Sequence, residues 1–139
     1  MELNLRGYIK KINEKKHRFD KKRDGRLHST NVLSEKTSFA IREAYKSART
    51  NIIFALAGVP GSRKVIFTSS EPGEGKSTTS LNVAISFAQT GAKVILVDCD
   101  LRKPRIHRYM GVERKNGISD LLVGLIDINS AIHHHDEYN

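Results

Sequence analysis

The stretch Thr68-Ser69-Ser70-Glu71-Pro72-Gly73-Glu74-Gly75-Lys76-Ser77-Thr78-Thr79 constrains the fold more than any other part of the chain. It follows the apolar run Val65-Ile66-Phe67 and precedes Leu81, Ala84, Ile85 and Ala88, which recur at helical spacing. A strand, a glycine-bearing loop and a helix in that order form the context of a phosphate-binding loop. Glycine lets the backbone approach an anion closely, and the free N–H groups and dipole of a helix start favour negative charge there. Lys76 has the length to reach the β- and γ-phosphates, and the Ser77 hydroxyl is a hard oxygen ligand suited to Mg²⁺. Gly75, Lys76 and Ser77 fit the pattern G-x-x-x-x-G-K-S/T, whereas Ser70 stands at its first glycine. The alternative is a chance Gly-Lys-Ser in a surface turn, and the flanking strand and helix weigh against it.

A chain of 139 residues can build one domain with a modest core. Its mean hydropathy is negative, and no uninterrupted apolar run approaches the roughly 20 residues of a membrane span. No apolar segment of the secretory type follows the N-terminus. Cys99 is the only cysteine, so no internal disulfide can form, and a cytoplasmic setting fits.

The net charge of +9 is concentrated at the start of the chain. Residues 1–28 hold ten basic side chains, from Arg6 to Arg26, against Glu2, Glu14, Asp20 and Asp24. Leu5, Tyr8, Ile9 and Ile12 fall near helical spacing, so a basic amphipathic helix for an anionic membrane surface or an acidic protein tail is one reading. A solvated terminus is the other. Nucleic-acid binding is not expected, because the arm carries few aromatics and no reader motif. Residues 1–34 are read as arm and linker, and 35–139 as the P-loop domain.

Ile41, Tyr45, Ala48, Ile52 and Leu56 form an amphipathic stripe that predicts a helix over 35–57, with Ser34 as its N-cap and Gly58 and Pro60 as its stop. Glu43, Lys46 and Arg49 make a second stripe at spacings of three, which by itself reads as an ion-pair ladder. Residues 64–69 and 93–98 are predicted parallel strands. The helix from Lys76 to Thr90, stopped by Gly91, joins them in a right-handed βαβ unit. The predicted fold class is thus α/β, a P-loop NTPase-like parallel sheet flanked by helices.

The second strand ends in Asp98-Cys99-Asp100-Leu101-Arg102-Lys103-Pro104. Carboxylates at the C-terminal edge of a parallel sheet sit where ligands bind. Strand alternation puts Asp98 and Asp100 on one side and Cys99 on the other, where it is expected to pack away from solvent. Near a metal, such carboxylates can hold the ion or its waters, or accept the proton of an incoming hydroxyl. Turn chemistry is the competing explanation. Arg102, Lys103 and Arg105 make the next loop basic, for phosphate charge, for a partner's carboxylates, or simply for solvent. Further on, Gly117 to Gly124 predicts a short helix, and Asp127 to Ile132 begins another. His133, His134 and His135 point in different directions on a helix, so they are read as a solvated end and not as a metal site.

Three segments stand together in order: Glu43-x-x-Lys46-x-x-Arg49-Thr50-Asn51-Ile52, Ser69 to Thr79, and Val97 to Pro104. As a set they resemble the bacterial tyrosine kinases, the P-loop kinases of capsule and exopolysaccharide synthesis, over roughly residues 35–135. The related partitioning and division-site ATPases usually carry a lysine where Glu71 stands here. The resemblance implies that Gly73, Glu74, Gly75, Lys76, Ser77 and Thr78 bind ATP. It implies Mg²⁺ on Ser77 and Asp98, and a catalytic group of Lys76, Asp98 and Asp100 with Asp100 as the base for a tyrosine hydroxyl. It further implies a homo-oligomeric ring using Glu43, Lys46 and Arg49, with lysine here at a position where the family has arginine. The implied partners are a protein tyrosine substrate and a membrane adaptor that would hold the kinase at the inner face of the cell membrane.

The family also carries a Walker B strand, an apolar run ending in Asp, and a tyrosine-rich tail. After Asp100 no such run occurs, and Tyr138 stands alone near the end. In the resembled fold that strand usually lies between the other two, so the sheet is expected to be incomplete, with unpaired N–H and C=O groups and a small core. Low stability and little kinase activity follow as expectations. A non-catalytic nucleotide-binding module of the partitioning type, or an inert truncated product, remain the alternatives.

Overall fold

The structure, a computed structural model, describes residues 32–135. The chain divides into two units, Met1–Thr30 and Asn31–Asn139, and only the second falls within the described range. The basic arm, and with it the amphipathic-helix reading, lies outside it.

Among the described residues the regular structure is five helices: α1 (Phe39–Ala55), α2 (Lys76–Ala88), α3 (Ile106–Tyr109), α4 (Ile118–Leu122) and α5 (Ile128–Ala131). The central element is α2. Leu81, Asn82, Val83, Ile85, Ser86 and Ala88 are all buried, so its apolar surface is covered on more than the single stripe of an ordinary surface helix. The core is small: Leu33, Leu81 and Ile85, packed by Val32, Tyr45, Leu96, Ile106, Tyr109 and Met110. The α1 and α3 helices lie against α2, and α4 lies against α5. The Leu33 N–H is deeply buried and donates to Asn82 Oδ1 at 2.8 Å, which pins the segment before α1 onto the central helix.

The α1 stripe faces inward as predicted along most of its length, with Tyr45, Ala48, Ile52 and Leu56 half-buried and Ile41 exposed. Its start is four residues later than predicted. Ser34 and Thr37 form a turn of their own: the Thr37 N–H donates to the Ser34 carbonyl at 3.0 Å, and the Ser34 N–H to Thr37 Oγ1 at 2.9 Å. That local exchange consumes the groups that would have capped a helix from Ser34, and Ser38 becomes the N-cap. The α2 boundaries follow the prediction closely: the helix starts at Lys76, and Gly91, with φ 82°, donates its N–H to the Ala88 carbonyl. The α4 and α5 helices also fall where the sequence placed them. Asp120 Oδ2 accepts the Gly117 N–H at 3.0 Å, and Asp127 Oδ1 accepts the Ser130 N–H at 3.0 Å.

The two predicted strands differ from expectation. Among the described residues no strand occurs, and no backbone hydrogen bond joins 63–69 to 92–98. A strand exists through its ladder, and among the described residues no neighbouring segment pairs with either one. Period-two burial persists nonetheless in the second segment. Ala92, Val94, Leu96 and Asp98 are half-buried, while Lys93, Ile95, Val97 and Cys99 are exposed. The same alternation corrects the placement of Cys99, which lies on the open face with Ile95 and Val97 instead of packed away. Ile66, at 89% exposure, is similarly uncovered.

Candidate functional site

The loop before α2 closes on itself around the Lys76 ammonium. Gly73 and Gly75 have φ of 90° and 87°, left-handed values that side-chain-bearing residues rarely adopt. A Cβ on Gly75 would meet only Thr79 Oγ1, at 3.9 Å, so the requirement there is backbone conformation and not space. Gly75 is the N-cap of α2, and its carbonyl accepts the Thr79 N–H at 2.8 Å. Lys76 is the first helical residue. Its Nζ donates to Ser69 Oγ at 2.6 Å and to the Glu71 carbonyl at 2.8 Å. The Ser69 hydroxyl in turn donates to the Glu71 carbonyl at 3.0 Å, and the Glu71 N–H to Glu74 Oε2 at 3.2 Å.

Glu74 therefore sits among donors. The Ser69 hydroxyl, then the Glu71 N–H, with the Lys76 charge adding to them against slight burial, hold its carboxyl below the ordinary carboxylate range. Ser77 and Thr78 occupy the next two positions of α2, and both are half-buried. The predicted loop residues Gly73, Glu74, Gly75, Lys76, Ser77 and Thr78 are thus brought together at one helix start, with cation, N–H groups and hydroxyls where a phosphate chain would need them. Ser69 opens the motif segment Ser69 to Thr79, but its residue type and position did not mark it as a partner of the lysine.

Asp98 and Asp100 organise the loop that leads into α3. Asp98 Oδ2 accepts the N–H groups of Arg105 and Ile106 at 2.9 and 3.0 Å, and its Oδ1 accepts the Asp100 N–H at 3.1 Å. Asp100 Oδ1 accepts the N–H groups of Arg102 and Lys103 at 3.2 and 2.9 Å. The turn chemistry weighed against catalysis for these residues is therefore present. Among the described residues, no hydrogen bond or ion pair joins Asp98 or Asp100 to Lys76 or Ser77. The α3 helix itself was missed. The signal for it was Ile106, Tyr109 and Met110 at i, i+3 and i+4 after Pro104, too short a period to stand out.

The α1 stripe divides in two. Lys46 Nζ pairs with Glu43 Oε1 at 2.8 Å, as the ladder reading expected. Both side chains are about half exposed, so the pair contributes little stability. Arg49 leaves the ladder and crosses to α2, donating from Nη1 to the Ser86 carbonyl at 2.6 Å and to Ser86 Oγ at 3.3 Å.

The donor set can be tested against Mg²⁺ by counting lone pairs. A carboxylate offers about four acceptor sites. Three of those on Asp98 are taken by backbone N–H groups, whereas the contacts of Asp100 use Oδ1 alone. The hydroxyl of Ser77 and one remaining position on Asp98 are hard oxygen donors of the kind Mg²⁺ takes while keeping several waters. By donor type these oxygens suit the ion, although among the described residues no group of three or more His, Cys, Asp or Glu side chains gathers to hold a metal.

Comparison with known proteins shows what these features are similar to. A family model described as ATPase MipZ matches residues 63–128. The tyrosine-protein kinase YwqD of Bacillus subtilis is 38% identical over 112 residues, 81% of this chain and 47% of the relative. The putative tyrosine-protein kinase EpsB of Ralstonia solanacearum is 42% identical over 91 residues, 66% of this chain and 12% of the relative. The putative tyrosine-protein kinase CapB of Staphylococcus aureus is 31% identical over 100 residues, 72% of this chain and 43% of the relative. The chain spans half or less of the length of each of these relatives. It is related in sequence to the bacterial tyrosine-protein kinases, as the three motifs imply, and its central part carries an ATPase-type match.

Proposed function

We propose that this relative of the bacterial tyrosine-protein kinases binds Mg·ATP at the loop around Lys76 and serves protein-tyrosine phosphorylation in capsule or exopolysaccharide synthesis. The observation that carries the reading is the Lys76 ammonium, the first residue of α2, held at a helix start by Ser69 and the Glu71 carbonyl. Incoming phosphate oxygens would take over those two contacts, and the N–H groups after Gly73 and Gly75 would complete the cradle. Ser77 and Asp98 would hold Mg²⁺, which supplies charge neutralisation at the phosphates when bound.

Asp100 is the better placed of the two carboxylates to act as base. Its Oδ2 is not among the oxygens that organise the loop, so it has lone pairs for the proton of a tyrosine hydroxyl. Asp98, with three of its four acceptor positions on backbone N–H groups, has the positioning part beside its remaining place for the ion. Lys76 would balance charge on the transferring phosphoryl group. The ATPase-type match supports the same P-loop architecture, with 64–69 and 93–98 as its parallel strands where a ladder neighbour is supplied.

The family resemblance supports a ring built through Glu43, Lys46 and Arg49, of which Arg49 also donates to Ser86 within its own chain, and an adaptor that brings the kinase to the inner face of the membrane. Among the described residues no helix is long and apolar enough to cross a membrane.

A second reading is favoured by the ATPase match itself: a nucleotide-binding module that acts by association without transferring phosphate. Incubation of the full chain with γ-radiolabelled ATP, Mg²⁺ and an adaptor protein separates the two. Labelled phosphotyrosine that disappears in Lys76→Met supports the kinase. Saturable ATP binding with no phosphotyrosine supports the module, and absence of binding overturns both.

A further inference from the structure

We infer that Arg49 is a positioning residue for the nucleotide site, clamping from α1 the C-terminal end of the helix whose first residue is Lys76. The inference rests on the nucleotide-binding reading above. The last four carbonyls of a helix have no partner within it. Ser86 is one of them: the helix ends at Ala88, and the Thr90 N–H that would reach back to Ser86 donates to the Phe87 carbonyl instead, at 2.9 Å. Ser86 is only 1% exposed, so water is a poor substitute. Arg49 supplies the missing donor at 2.6 Å, with its charge at the negative end of the α2 dipole. The guanidinium also reaches Ser86 Oγ at 3.3 Å, and that hydroxyl points back to the Tyr45 carbonyl on α1 at 3.5 Å.

The clamp therefore runs in both directions between the two helices, one turn of α1 from Tyr45, which packs on the core formed by Leu33, Leu81 and Ile85. A helix is stiff over 13 residues, so a restraint at Ser86 is felt at the other end, where Lys76 and Gly75 shape the loop. In this proposal Arg49 acts through α2, from the end of the helix opposite Lys76. Lysine can donate to the Ser86 carbonyl but has no planar fork to share between carbonyl and hydroxyl. The consequence is a graded series, arginine above lysine above an uncharged side chain, in the order of the loop around Lys76.

The test uses the full chain and titrates a fluorescent ATP analogue with Mg²⁺ into wild type, Arg49→Lys and Arg49→Met. It is paired with amide exchange of 69–80 and of 118–131 at a temperature well below unfolding. We expect Arg49→Met to weaken binding about fivefold to tenfold, within the range for a residue coupled to a site it does not touch, and Arg49→Lys to recover part of the loss. Exchange should rise in 69–80 and stay unchanged in 118–131, which a general loss of stability would not produce. Wild-type affinity in both variants overturns the inference. If Arg49→Met does not fold, the decision falls to Arg49→Lys: binding as tight as wild type, with unchanged exchange in 69–80, overturns it as well. Failure of wild type itself to bind nucleotide would instead count against the nucleotide-binding reading.

Discussion

Lys76 Nζ and Ser69 Oγ lie 2.6 Å apart, and through that contact the loop before α2 holds its own lysine at the helix start. The lysine is engaged only by neutral oxygens of Ser69 and Glu71, which on the proposed reading a charged phosphate would outcompete.

Replacing Lys76 by methionine keeps the aliphatic stem and removes the ammonium. Affinity for Mg·ATP should fall about 10- to 100-fold, the range for losing a hydrogen bond to a charged group. Isothermal titration measures it. An unchanged Kd would show that the loop does not bind the phosphates.

Asp98 has a structural part that must be separated from any chemical one. Asp98→Ala removes the acceptor for the Arg105 and Ile106 N–H groups. By analogy with a lost helix cap it should cost about 1 kcal/mol, roughly 5 °C in Tm for a domain of this size. Asp100→Asn keeps an acceptor oxygen for Arg102 and Lys103. It should leave Tm within about 2 °C, since substitutions outside buried contacts cost little, while abolishing any phosphotyrosine formation. Equal loss of Tm in both variants would remove the distinction between them.

Glu74 gives the loop a pH dependence with a definite sign. Its folded pKa is depressed, with the Ser69 hydroxyl the largest cause and the Glu71 N–H next. Its contribution is fully present above the ordinary carboxylate value of about 4.3 and disappears as pH falls through the lowered folded value. The side chain is solvent-exposed, so the effect should be local: protection of the Glu71 amide, taken relative to the intrinsic exchange rate at each pH, falls in acid in wild type. In Glu74→Gln that acid-dependent step should be absent. A Glu71 amide indifferent to acid in wild type would contradict the assignment.

The uneven burial of the apolar side chains predicts very unequal costs of truncation. Leu81 is 1% exposed in the small core, and Leu81→Ala should cost about 2–5 kcal/mol. For a domain with so few buried residues this approaches the whole stability. Ile66, at 89% exposure, should cost less than about 0.5 kcal/mol on truncation to alanine. Denaturant titration of both variants checks this. A loss above about 1 kcal/mol at Ile66 would mean that residues 64–69 are covered in a sheet in solution.

What the sequence by itself determined is what neighbours along the chain decide. The glycine-bearing loop, the start of α2 at Lys76 and its stop at Gly91, and the caps Asp120 and Asp127 each depend on groups within a few residues. Backbone sterics and local hydrogen bonds are sufficient for those. The Glu43–Lys46 pair is legible for the same reason. The start of α1 was misplaced because two local solutions competed, and the turn of Ser34 and Thr37 prevailed over a cap.

Only the tertiary structure decided the rest, because its partners are far apart in sequence. Arg49 and Ser86 are 37 residues apart, and nothing in a helical stripe says that its third member will leave for another helix. Asp98 reaches seven and eight residues ahead to cap the entry to α3, so a carboxylate read first as a metal ligand is also a support for the loop. Strands depend most on distant partners: the alternation in 92–99 is written in the sequence, but a ladder is made by another segment. Without one among the described residues, Ile95, Val97 and Cys99 stay in solvent.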